Sequence, residues 1–579
     1  MDFLASGPWQ AWPLVQTCLK AAFLLLGFKM GMFFFEGYQI RMRFKNMKEQ
    51  GIPIAEPHSF VWGHLKMLGG IRAPLPGDAH NHYAQIYMVQ NWQKFFPGVD
   101  ERPGVLYLDL WPVLEPFAFV VDPAMCQDLV QDRVQPRHPQ NKHLIRYFSG
   151  ENNVIAWDRP VHTLWRSRLT PGFSARNLQS HLPVFIEEVG TFVDLLKAKA
   201  PKDGSWSNVF QLMERTAAMT FGIICRVVMN LDTNEQREGP TPVQTSLRTL
   251  VRDHTIFKTI WTLPKRLNPL WHLEAWRCNR TIRGVLMPRI QEQIGSGEQA
   301  KTRKTVVQLA TKELSNESAS ATSSSNKIDR KQYAEDVLSN MKVFLVAGHD
   351  TTATTITWAF HFLAKHPAVL EKLRAEHDAV FGPDPSTTSA ALTANPALLN
   401  ALPYTNAVVK EVIRLSPLAA TLRRGSPSFF FTSYDKASSH NSPKLYWPTD
   451  GFCVVTGTAA MHHDPALFGA RAAEFLPERF LVPEGHELYP VKYAFRPFEY
   501  GPMSCIGQEL ALMEMRLTLL LTVRELDVEC AWDEWDALQG RVWADGKPPM
   551  VDGDRAYRTT NGLAYPTDEL PVHVRLRNV

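Results

Sequence analysis

Phe498-Glu-Tyr-Gly501-Pro-Met-Ser-Cys505-Ile-Gly507 is the stretch that decides this 579-residue chain, with Gln508 to Leu521 patterned as a helix directly behind it. The expectation is a strand end that delivers Cys505 into a glycine-flanked turn. Gly501 and Gly507 carry no side chain, so the backbone there can bend sharply and lie close against a flat ligand. The helix start aims unpaired N–H groups and its positive dipole end at the sulfur. Such surroundings favour a thiolate, and an enclosed thiolate calls for a metal. A lone cysteine is more often a small buried hydrophobe. The pattern F-x-x-G-x-x-x-C-x-G, however, arises by accident in a chain this long only on the order of once in a thousand cases. The bland reading therefore loses, provided the rest of the chain agrees.

Upstream of the cysteine, four motifs bear on its chemistry. Ala347-Gly348-His349-Asp350-Thr351-Thr352 falls inside a helix expected from about Lys331 to Lys365, capped by Asp329 and closed by Pro367. Gly348 and the threonines at 351, 352, 354, 355 and 357 are poor helix formers. A local violation of this kind marks a functional site. Small residues would let a flat cofactor approach, and an acid beside an alcohol makes a proton relay. The alternative is a helix whose threonines bond back to the preceding turn. Glu411-Val-Ile-Arg414 places an acid and a base on one helix face. Glu274 with Arg277 and Glu371 with Arg374 share that spacing and read as solvated pairs. In Phe475-Leu-Pro477-Glu-Arg479-Phe480, Arg479 is placed to fork onto the Glu411 carboxylate together with Arg414, or else it is a surface arginine. His162-Thr-Leu-Trp165-Arg166 puts a histidine and an arginine one helical turn apart, able to share one anionic group; a satisfied structural histidine is the alternative. A cysteine thiolate as axial ligand of a haem iron pushes electron density toward bound dioxygen and favours O–O cleavage.

Composition narrows the class. With 45% hydrophobic and 21% charged residues the chain has material for a large core. A net charge of +4 is too small to argue for nucleic acid, and no phosphate loop, RNA-binding motif or zinc pattern is present. The seven cysteines are scattered and odd in number, without a C-x-x-C, which points to a reducing compartment rather than a disulfide framework. Trp12 to Phe35 is mostly apolar and long enough to cross a membrane, although it contains Lys20 and Lys29. Arg41, Arg43, Lys45 and Lys48 follow it and place the bulk of the protein in the cytosol. A cleavable signal peptide is the rival, with the charged flank on the wrong side. Short strands are expected at Val105–Leu110, Phe117–Val121, Phe429–Thr432 and Cys453–Thr456. Helices dominate from Ser180 to Phe381, and again from Tyr404 to Leu415. Leu314 to Asn326 reads as a Ser-rich loop.

The cysteine loop, A-G-x-D-T-T, E-x-x-R and P-E-R-F, in this order and spacing, resemble a membrane-anchored eukaryotic cytochrome P450, a haem-thiolate monooxygenase. The resemblance spans about Pro53 to the C-terminus. The wording of the cysteine loop and of Leu164-Trp-Arg-Ser-Arg-Leu-Thr-Pro-Gly-Phe-Ser is most similar to fungal members, many of which serve secondary metabolism. It implies a mainly α fold with a smaller β part: an anchor with its basic flank over 1–50, and one catalytic domain over 51–579. It implies haem b held by Cys505, with Phe498, Gly501 and Gly507 shaping its loop. It implies propionates held by His162, Arg166 and Arg423, and protons delivered by Asp350 and Thr351. Glu411, Arg414 and Arg479 would form a structural network.

Electrons would come from NADPH through a separate reductase, with cytochrome b5 as a further candidate partner, at the endoplasmic reticulum membrane. The substrate would be a lipophilic small molecule, walled by Val134–Ile155, Val343–Thr351, Leu418–Thr421 and the tail near Leu563. Two departures stand out: Met503 where the family usually has an arginine, and His162 where it more often has tryptophan. The rival functions are a reductase-independent haem-thiolate isomerase or dehydratase, and a non-catalytic haem-binding protein.

Overall fold

Asp329 starts the helix around which the molecule is arranged. Its carboxylate accepts the N–H groups of Lys331 (3.0 Å) and Gln332 (3.2 Å), a cap of about 1 kcal/mol. The helix runs Arg330–Lys365 and, from Val337 to Leu363, is mostly buried. The computed structural model describes residues 12–257, 259, 261–296, 303–319, 329–434, 443–543, 546–560 and 563–577. Against the long helix packs Leu212–Met229. The two approach so closely that a Cβ on Gly348 would lie 2.5 Å from Ile224 Cδ1. Thr216 meets Thr357 (3.0 Å), and the Thr220 hydroxyl donates to the His349 carbonyl (3.0 Å). Gly348 therefore serves helix–helix contact; the expected approach of a cofactor at this glycine is corrected, because Ile224 fills the space. Tertiary packing sustains a helix that propensity alone disfavours.

The other helices match their expected limits closely: Pro367–Phe381, Pro403–Leu415 and Gln508–Thr522. Leu314–Ala319, expected as loop, continues the helix Val306–Ala319; the rest of that Ser-rich stretch, 320–326, lies outside the described residues. The main sheet orders Val105–Leu108, Phe117–Val120, Cys453–Thr456 and Leu422–Arg424, with its middle pair parallel and its outer pairs antiparallel. A second, three-stranded sheet joins Phe210–Gln211, Pro571–Leu576 and Leu526–Cys530. The core has a larger helical part and a smaller part around the main sheet. Arg374, expected as a solvated pair with Glu371, is buried; it bonds Glu371 (2.7 Å), Asp527 (2.6 Å) and the Val523 carbonyl (2.8 Å). Glu274 meets the His254 imidazole instead (3.1 Å).

The N-terminal helix Trp12–Glu49 is exposed along its apolar stretch. Gln16–Glu49 is apolar enough to cross a membrane by length and composition, with mean hydropathy 1.7. Its far end docks on the main-sheet core through Ile40, Phe44 and Met47. Arg41 forms a buried ion pair with Asp109, which also accepts from His58 (2.9 Å).

Candidate active site

The cysteine loop is made of turns, not of a strand end. Residues 491–507 hold no strand, because Tyr493 (φ 64°), Glu499 (φ 57°) and Gly501 (φ 79°) turn the chain left-handed. The Cys505 N–H donates to the Phe498 carbonyl (2.9 Å) and the Ser504 N–H to the Gly501 carbonyl (3.1 Å), closing a tight loop. A Cβ on Gly501 would meet the Val130 carbonyl at 2.3 Å, so this glycine admits a neighbouring backbone rather than a ligand. Gly507 borders the sulfur itself; a Cβ there would face Cys505 Sγ at 4.0 Å. The cysteine helix starts at Gln508 with Gly507 as its cap. Burial pushes the Cys505 thiol up, and the Gly507 N–H and the Arg166 guanidinium pull it down.

The sulfur faces a cavity. Its walls bring together Thr351, Thr352 and Thr355 of the long helix, Leu418–Thr421, and Phe498, Met503 and Cys505 of the loop. These segments lie up to 154 positions apart in the chain. The segments 134–155 and Leu563, expected as walls, do not line it; Ile145, Phe148 and Val154 pack into the helical core instead. Asp350 lies off the cavity, buried, with Oδ1 bonded by the Tyr565 hydroxyl. Burial pushes Asp350 up, while His349, Tyr565 and Arg248 draw it down. The threonines do bond back: Thr351 to Ala347 O (2.7 Å), Thr354 to Asp350 O (2.7 Å), Thr355 to Thr351 O (2.9 Å). That bond spends the Thr351 hydrogen and leaves its oxygen lone pairs on the cavity side.

Beside the cavity stands a group of cations. The Arg166 guanidinium bonds the Ser504 carbonyl, and Arg423 Nη1 lies 2.8 Å from Met503 Sδ. Arg137 joins them, held by the carbonyls of Trp157 (3.1 Å) and Val154 (3.0 Å). His162 is buried and lowered to about 4, by burial first and then by Arg137, Arg166 and Arg423. Among the described residues none of the three arginines has an ion-pair partner. Arg423 Nε and His162 Nδ1 are buried without hydrogen bonds. Arg423 and His162 are buried and Arg137 and Arg166 half-buried; like charges so placed, with idle donors, call for an anion. The donor set matches the two carboxylates of a haem, with a thiol next to it, so the residues present fit that group.

The acid–base network is fully paired. Glu411 accepts from Arg414 Nε and Nη2 (both 2.7 Å), from Arg479 Nε (3.2 Å) and from the Leu476 N–H (2.9 Å). The remaining arginine donors reach the carbonyls of His462, Ala472, Glu474, Phe468 and Arg471. Helix Pro403–Leu415 is thereby tied to the meander that precedes the cysteine loop.

Three residues escaped the sequence reading. Arg137 carries no motif. Tyr565 sits in an unremarkable tail. Glu514 left a trace: it is a carboxyl nine positions past Cys505 on an otherwise apolar helix face. It is buried with both oxygens unpartnered and is held well above the usual carboxylate range by burial, with Thr352 alone favouring its charged form. Cys453, a buried cysteine near Glu115 and His138, is a covered strand residue. There the His138 Nδ1 caps a helix by accepting the Gln140 N–H (3.2 Å), which leaves Nε2–H for Glu115 (3.1 Å).

The family profile described as Cytochrome P450 matches residues 81–540. The cytochrome P450 monooxygenase polC of Polytolypa hystricis is 32% identical over 564 residues, covering 96% of this chain and 94% of that protein. The cytochrome P450 monooxygenase acrF of Aspergillus aculeatus is 29% identical, covering 87% of this chain and 99% of that protein. A crystal structure of the cytochrome P450 CYP102L1 shares the fold at a TM-score of 0.61, with 19% identity over 86% of this chain and 99% of that one. With the thiol, the cation group and the threonine helix converging on one cavity, and with most of its length matched, the chain belongs to the cytochrome P450 family and is a haem-thiolate monooxygenase.

Proposed function

We propose that this enzyme hydroxylates or otherwise oxidises a lipophilic small molecule of fungal secondary metabolism, using NADPH electrons from a separate reductase. One observation carries the reading: a thiol and a threonine-rich helix share a cavity, and Arg166 and Arg423, without an ion-pair partner among the described residues, touch the loop that carries the thiol. Cys505 Sγ would hold the iron; Phe498, Gly501 and Gly507 shape the loop that presents it. Arg137, His162, Arg166 and Arg423 would take the propionates. When bound, the haem supplies dioxygen activation, which a thiolate ligand promotes. The protein's part is to move protons. Thr351 Oγ1 accepts and passes a proton on the cavity face. Asp350 and Glu514, whose proton affinity burial raises, are the stores on either side of the helix. Leu418 to Thr421 forms an apolar wall suited to a lipophilic substrate.

Tight pairing of Glu411, Arg414 and Arg479 holds the meander that carries the loop. The apolar N-terminal helix would anchor the enzyme in the endoplasmic reticulum with the catalytic part in the cytosol. Phe60, Val61 and Trp62, exposed beside Tyr38 of that helix, suit the membrane interface. The acid–alcohol pair favours this reading over the isomerase or dehydratase.

Reducing the haem-loaded protein under carbon monoxide should give the red-shifted band of thiolate ligation, absent in Cys505→Ser. With reductase and NADPH, Thr351→Ala should release more peroxide per NADPH than the wild type. No thiolate band in folded, haem-supplied protein refutes the assignment of Cys505; unchanged peroxide release refutes the Thr351 relay.

A further inference from the structure

Asp350 turns away from the cavity, toward the chain's tail. The Tyr565 hydroxyl donates to Asp350 Oδ1, while Oδ2 has no partner among the described residues. The tyrosine is held independently of that bond. Its ring packs on Met213, Ala217 and Ala353. Its carbonyl accepts the Thr559 N–H (2.9 Å) and hydroxyl (3.1 Å). Its neighbour Ala564 accepts from Trp358 Nε1 (3.3 Å) and sits at φ 56°, a left-handed conformation that an alanine adopts only when its surroundings enforce it. The tail thus delivers one hydroxyl to one carboxylate oxygen, on the side of the helix opposite to its use.

We propose that Tyr565 is a positioning residue for the reaction: its hydrogen bond holds the Asp350 carboxyl turned from the cavity, and a proton passes toward Thr351 only when that bond is exchanged. The inference rests on the proposed function, in which Asp350 supplies protons, and names what governs that supply. The charged groups that face Asp350 are few. His349 lies on its own helix, Arg248 comes from Pro242–His254, and Glu569 comes from the tail. Arg248 is tied to Glu569 (3.1 Å). Glu214, on the helix Leu212–Met229, acts on Glu569; nearer Asp350 that helix presents the uncharged Met213, Thr216 and Thr220. Tyr565 is the one side chain among the described residues that donates directly to the carboxyl. Removing its hydroxyl deprives the charged form of a donor, so the proton affinity of Asp350 rises.

Infrared titration of the full-length, haem-loaded protein reads this directly, through the protonated-carboxyl band that Asp350→Asn removes. In Tyr565→Phe the midpoint should rise by about one pH unit or more, a tenfold change in proton affinity. Trp358→Phe cuts a different bond between the tail and the long helix and leaves the hydroxyl in place; its midpoint should match the wild type. The alkaline limb of NADPH oxidation, measured with reductase and no added substrate, should move with the Tyr565→Phe midpoint. An unmoved midpoint in Tyr565→Phe overturns the proposal, as do equal rises in both variants or a moved midpoint with a fixed alkaline limb. A wild type that oxidises no NADPH at any pH overturns the proposed function, and this role with it, which the infrared result alone would not do.

Discussion

Two groups of buried or half-buried arginines lie in this protein and treat their charge in opposite ways. Around Glu411 every guanidinium is answered: Arg414 and Arg479 share one carboxylate and spend their remaining donors on carbonyls. Around the cavity Arg137, Arg166 and Arg423 stand together with His162, their guanidinium groups bonded to carbonyls and a thioether but, among the described residues, to no carboxylate; Asp158 takes only the Arg137 backbone N–H (2.8 Å). A folded protein tolerates the first arrangement by itself. The second is costly unless something anionic arrives. The difference separates structure from binding more sharply than burial does, since Arg414, Arg423 and Arg479 are all buried to 1% exposure or less.

The comparison breaks most readily at Glu411. Glu411→Gln leaves two buried arginines without a counter-charge and should cost about 3–5 kcal/mol, read as a lowered denaturant midpoint with or without haem. Arg423→Met should do the reverse: the haem-free protein keeps or gains stability, while haem dissociates faster and its affinity falls by about 1.5–3 kcal/mol. Equal destabilisation by the two variants would erase the distinction. Met503→Arg sharpens it from the other side. A further cation beside Arg423 should lower haem-free stability and slow haem loss, both measurable by haem transfer to an acceptor protein.

The smallest effect lies at His162. Its folded value of about 4 lies below the unfolded 6.5, so the unfolded chain binds the extra proton. His162 therefore opposes folding of the haem-free protein progressively as pH falls from 6.5 toward 4. A propionate would restore the proton, so haem affinity should rise over the same window by less than about tenfold per pH unit. His162→Gln should flatten that slope.

The helices were legible because their punctuation is local. Asp329, Pro367 and Gly507 start or stop helices by chemistry confined to a few residues. The ion network was legible because Glu411 and Arg414 share a helix face. Gly348 misled, since a glycine reads alike whether a ligand or Ile224 fills the space beside it. The cysteine loop was read as a strand end because backbone reversals at Tyr493 and Glu499 leave no mark in residue type. Arg374 passed for a solvated pair because its burying partner, Asp527, lies 153 positions away.

By itself the sequence determined the chemistry on offer: a thiol between glycines, an acid beside an alcohol on a helix, and an acid–base pair with a distant arginine. Each is set by spacing within a turn or two. Tertiary structure alone decided where that chemistry points. It turned Asp350 to Tyr565 rather than to the cavity, left Glu514 unpartnered, and added Arg137 to the cation group. Orientation and pairing depend on which distant segments pack together, and no local pattern of residues encodes that.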